Sequence, residues 1–141
     1  MRSSRKVLLT VAAAASLTLF NPTTAFAAYF GTETDYAANY TPGDVDQHWS
    51  CSQARGAYVC FTGLGDYIEV YDEAGDGYAA VAEWDDLDST RSGSCVNKLS
   101  AGSVGTCNKN FTEGHTIRLR AALHDSGEPV GTKGAWAEGN A

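Results

Sequence analysis

The chain is predicted to be all-β, an antiparallel sandwich or small barrel stapled by two disulfides and preceded by a cleaved signal peptide. Three observations carry this. Short runs alternate apolar and polar residues between Gly, Asp and Ser turns. Four cysteines fall in two close pairs. The first residues read as an export signal.

That signal comes first in the chain. "MRSSRK" is a basic n-region, "VLLTVAAAASLTLF" an apolar h-region and "AFA" at 25–27 a small-residue cleavage site. The apolar run of 14 residues is too short and too dotted with Ser and Thr to span a bilayer. We therefore divide the chain into a signal peptide (1–27), an N-terminal extended segment (28–50) and a disulfide-stapled β domain (51–141), secreted to the extracellular side. Cleavage removes Arg2, Arg5 and Lys6, leaving seven basic against seventeen acidic residues, a charge of −10 over 114 residues. Nucleic acid and anionic membranes both repel such a field, so neither is expected as a partner.

Four cysteines in an exported chain allow three pairings. Cys51–Cys60 and Cys95–Cys107 are expected, because each pair brackets a strand–turn–strand unit. The gaps hold no CxxC and no clustered His, and no metal or cofactor is expected.

Residues 28–50, "AYFGTETDYAANYTPGDVDQHWS", have no sustained period but are rich in aromatics. Two readings stand side by side: an edge strand packing on the core, or an arm docking on another protein through aromatic anchors. Tyr29, Phe30, Tyr36 and Tyr40 are the candidate anchors, with Trp49 nearby. The strands begin after it. "AYVCF" places Ala57, Val59 and Phe61 on one face, and "DYIEVYD" sets Ile68 and Val70 opposite Tyr67, Glu69 and Tyr71. "GYAAVAEW", "SCVNKL" and "GTCNKNF" follow. "HTIRLRAALHD" puts Ile117, Leu119, Ala121 and Leu123 on one face.

"DEAGDGYAAVAE" (72–83) has the carboxylate and glycine spacing of an EF-hand loop at Asp72, Asp76, Gly77 and Glu83, but Ala74 stands where an oxygen ligand belongs. Its flank "GLGDYIEVY" is β-rich rather than helical. "EAGDG" is therefore expected to be a hairpin turn.

Catalytic patterns are sparse: no GxSxG occurs, and the disulfides leave no thiol nucleophile. The best enzyme hint is that Arg118, Arg120 and His124 share the face opposite the apolar one, near Glu113 or Asp125. That arrangement would suit phosphodiester cleavage, whereas the net charge opposes a polyanionic substrate. The same cationic stripe, Arg118 and Arg120, would equally meet an acidic protein. No Trp-Arg-Tyr triplet of the small amylase inhibitors occurs, and the cysteine context differs from that of the secreted subtilisin inhibitors.

Five stretches carry a resemblance: "GAYVCF" (56–61), "AVAEW" (80–84), "GSCVNK" (93–98), "GTCNKNF" (105–111) and "RLRAALHD" (118–125). Over 51–125 the chain resembles a family of small secreted actinobacterial proteins. Some of these are similar to the small adaptor of umbrella-shaped secreted toxin particles, which joins lectin-like subunits to a large ring-and-stalk toxin subunit. The resemblance implies a non-enzymatic adaptor whose extension, here 28–50, engages a lectin-like partner. A secreted inhibitor of a protease or glycosidase is the alternative, and a small secreted hydrolase a further one.

Overall fold

A computed structural model describes residues 28–39 and 50–141. Residues 1–27, where the signal peptide is expected, and Tyr40 and Trp49 lie outside the described residues. Among the described residues eleven strands form: β1 (Glu33–Tyr36), β2 (Ala38–Asn39), β3 (Ser50–Ala54), β4 (Ala57–Thr62), β5 (Tyr67–Asp72), β6 (Ala79–Asp86), β7 (Ser92–Asn97), β8 (Val104–Asn108), β9 (Thr116–Asp125), β10 (Glu128–Val130) and β11 (Ala137–Asn140).

They build two sheets. The first runs β1-β7-β6-β9, and the far edge of β9 is shared between β10 and β11; the second runs β2-β8-β5-β4-β3. All pairings are antiparallel except β1 with β7, which is parallel.

The alternation in the sequence explains the inner faces. Ala57, Val59 and Phe61 from β4 and Ile68 and Val70 from β5 meet Ala82 and Trp84 from β6 and Ile117, Leu119, Ala121 and Leu123 from β9. Burying each such side chain contributes roughly 1.5–3 kcal/mol for the larger ones. Phe111, edge-on to both Trp84 and Phe61, fills one end of this core.

Both open sides of the sandwich are closed. On one side, the single stretch 33–39 supplies the last strand of each sheet, pivoting at Ala37, which is buried in the core. Residues 33–39 are thus built into both sheets, although the sequence places a boundary only after residue 50. On the other side β3 meets β9: Ser52 Oγ accepts the Ala121 N–H at 3.1 Å and donates to the Ala135 carbonyl at 2.6 Å.

Both expected disulfides form, Cys51–Cys60 and Cys95–Cys107, consistent with an exported protein. Cys51 and Cys60 face each other in the β3–β4 hairpin. Cys95 and Cys107 do not bracket a hairpin as expected: β7 lies in the first sheet and β8 in the second, so this bridge ties the two layers together. Replacing Cys95 and Cys107 together by Ala is expected to cost about 2–5 kcal/mol. The Cys51/Cys60 pair should cost less, because hairpin hydrogen bonds already hold its strands. Urea melts of the two double variants check the order.

The 73–78 stretch is corrected in the same way. β5 and β6 belong to different sheets, so "EAGDG" is a crossing between layers and not a hairpin turn. Asp72 and Asp76 shape it locally, each accepting the backbone N–H two residues on, at Ala74 and Tyr78. Glu83, the last carboxylate of the calcium-like spacing, is committed elsewhere in β6. Millimolar Ca²⁺ should therefore leave the melting temperature unchanged; a rise of several degrees, abolished by Asp76→Ala, would contradict this.

Candidate functional site

β6 and β9 pair so that Glu83 faces Arg120 and Asp85 faces Arg118. Acids two residues apart on one strand thereby meet arginines two residues apart on its neighbour, all on the outer face of the first sheet. Arg118 donates to Asp85 Oδ2 at 2.7 and 2.9 Å. Arg120 Nε donates to Glu83 Oε2 at 2.8 Å. Lys133 Nζ donates to Glu83 at 2.7 Å, and His124 Nε2 lies 3.1 Å from the same carboxylate. His124 Nδ1 lies 2.9 Å from the Gly127 carbonyl oxygen.

Glu83 is wholly buried although it points away from the main core, and so are Val81, Ser94, Val96 and Ala122. Two stretches distant in the chain, around Phe30 and around Trp136, supply the cover. Trp136 lies against both guanidinium groups, with Arg120 Cζ 4.3 Å and Arg118 Cζ 4.5 Å from its ring centroid. Phe30 packs on Trp136 at 6.0 Å, and its carbonyl accepts from Ser94 Oγ at 2.9 Å. Tyr29 lies on the His124 ring at 5.3 Å.

Burial pushes the Glu83 carboxyl upward, but His124, Lys133 and Arg120 outweigh it and hold it at about 2. At the β1 edge, the Arg91 guanidinium holds Glu33 at about 2 against partial burial, with Lys109 assisting. Both groups sit below their ordinary value of 4.5. Each therefore stabilises the fold fully above about pH 4.5, and that contribution disappears as pH falls toward about 2. Urea midpoints should drop across this window, and Glu83→Gln should flatten the drop.

The expected binding residues gather into two neighbouring groups. Phe30, Arg118 and Arg120 meet around Trp136 and are half-buried. Tyr29 and Tyr36 meet edge-on at 6.5 Å, with Lys98 Nζ 4.7 Å from the Tyr36 ring centroid. Tyr36 is 59% exposed. Tyr40 lies outside the described residues. Tyr29 forms a ridge between two open clefts of about 560 and 710 Å³, and Lys98 and Ser126 line both.

Lys98, Trp136 and the pairing role of Glu83 are absent from the sequence-based expectations. Trp136 sits in "GAWAEG" without alternation. The i, i+2 acids of "EWD" against the i, i+2 arginines of "RLR" were the available signal for the ion-pair ladder. Among the described residues, no group of three or more His, Cys, Asp or Glu is arranged to hold a metal ion. No protein family, curated protein sequence or solved structure matches the chain.

Proposed function

We propose that this is an exported, non-enzymatic protein-binding module, and that its sharpest form is an adaptor between subunits of a secreted antibacterial toxin particle. Tyr36 carries this reading. It is a largely exposed aromatic fixed by Lys98 and Tyr29, lining an open cleft of about 710 Å³, on a strand that closes the sandwich. Interface anchors are characteristically aromatic side chains of this kind, held ready so that little entropy is lost on binding.

The stripe that hinted at phosphodiester cleavage favours the same reading. Arg118 and Arg120 already hold Asp85 and Glu83 under Trp136, and His124 is buried beneath Tyr29. A polyanionic substrate would have to displace a buried carboxylate to reach them.

A pull-down of the mature protein from the supernatant of the producing organism tests the proposal. Stoichiometric lectin-like and very large partners support the adaptor. A single protease or glycosidase points to the inhibitor instead, and turnover of added substrate without any partner to the hydrolase.

A further inference from the structure

The β4–β5 turn, "GLGD" at 63–66, holds Leu64 out at 73% exposure, the most exposed large apolar side chain of the described residues. The turn beneath it is braced. Asp66 has a left-handed φ of 54°, and its carboxylate accepts the Phe111 N–H at 2.8 Å while its carbonyl accepts from the Lys109 N–H at 2.9 Å. Gly63 lies so close to β11 that a Cβ there would run into the Asn140 carbonyl oxygen. Leu64 is thus presented on a preset loop, and little conformational freedom is lost when it is buried by a partner.

The charged side chains lining its cleft are both acidic. Leu64 walls a shallow cleft of about 500 Å³ whose other sides include Glu113, Glu138 and Ala141. Glu113 and Glu138 are both exposed, and no side-chain ion pair involves either of them among the described residues. Arg118, opposite Glu138 in the β9–β11 register, is engaged by Asp85 and Trp136, while Arg91, Lys109, Arg120 and Lys133 pair with other acids, so neither glutamate is neutralised by an ion pair. An apolar knob inside an acidic ring complements an apolar socket rimmed by lysine or arginine.

We infer that Leu64, with Glu113 and Glu138, forms a second protein-docking surface, whose occupant is a protein with a cation-rimmed apolar socket. It lies at the opposite end of the sandwich from Tyr36. Tyr36 pairs with Val96 near the end of β7, whereas the 63–66 turn sits where β9 begins. The registers set Tyr36 level with Ala122, six residues along β9 from Thr116, so the two lie about 20 Å apart along the strands. Two partners could then be held at once. The inference stands on the 63–66 turn and does not require the Tyr36 surface to bind.

Photo-crosslinking tests it. The full mature chain carries p-benzoylphenylalanine in place of Leu64, or of Tyr78 at the other end as a control, and is irradiated in the producing organism's supernatant. The expected result is a position-64 adduct mapping to apolar residues flanked by Lys or Arg on one secreted protein. Glu113→Lys with Glu138→Lys should reduce its yield at least about fivefold, and 0.5 M NaCl should weaken it likewise. Tyr36→Ala should leave it intact, so loss of the Tyr36 partner and loss of this adduct are separate readouts. No adduct from position 64, the same adduct from position 78, or a yield indifferent to both charge reversals overturns the inference. Leu64 makes no core contact, and an unchanged melting temperature verifies that the labelled chain is folded.

Discussion

Glu83→Ala is expected to destabilise the fold by about 3–5 kcal/mol, because it leaves Arg120, His124 and Lys133 facing one another in a covered layer without their shared carboxylate. Domains of this size have a total stability of about 5–15 kcal/mol, so the variant should be marginal at physiological temperature. Glu83→Gln keeps the shape and some hydrogen bonding and should lose less. Urea melts at pH 7 measure both, and a loss under about 1 kcal/mol for Glu83→Ala would mean that the cluster is solvated. The effect should extend to the covering segments, since Tyr29 and Trp136 rest on the groups that Glu83 organises.

Truncation to Ser50 should have a still larger effect. It removes β1 and β2 and exposes the edges of β7 and β8. It also takes Ala37 from the core and strips Lys109, whose side chain is 6% exposed, of Glu33 and Asp35. The loss of both edge strands, a core residue and the partners of a buried ammonium exceeds what a domain of this stability withstands. The expected outcome is loss of the cooperative thermal melt and of near-ultraviolet dichroism. A chain beginning at Thr32 removes only Ala28, Tyr29, Phe30 and Gly31 from the described part; it should keep a cooperative melt at lower temperature. A cooperative melt from the Ser50 chain would show that 33–39 contributes little to the fold.

The sequence was legible where a strand sets polar outer residues against apolar inner ones. β4, β5 and β9 alternate cleanly because their inner residues meet the core, and the cysteine pairing followed from closeness in the chain. Assignment of strands to sheets was not legible. A turn within a hairpin and a crossing between layers use the same kinds of residue, Asp with Gly at 72–78 and Ser with Gly in the β7–β8 connection. β6 hid its faces for another reason: "AAVAEWDD" is covered on both sides, so the alternation that would separate Ala82 from Glu83 fades. The binding candidates were found by residue type, as exposed-looking aromatics and arginines. Their grouping around Lys98 and Trp136 depends on parallel pairing of β1 with β7 and on the path of the last ten residues, neither of which leaves a periodic trace.

The central claim is that Tyr36, held by Lys98 and Tyr29, anchors a protein partner on an already folded surface. The most direct measurement is the affinity of Tyr36→Ala for the partner recovered from the supernatant, made by calorimetry alongside a thermal melt. Truncating a central aromatic anchor typically costs about 2 kcal/mol or more, so the dissociation constant should rise at least about thirtyfold while the melting temperature stays within a few degrees. Unchanged affinity in a folded Tyr36→Ala protein would contradict the account.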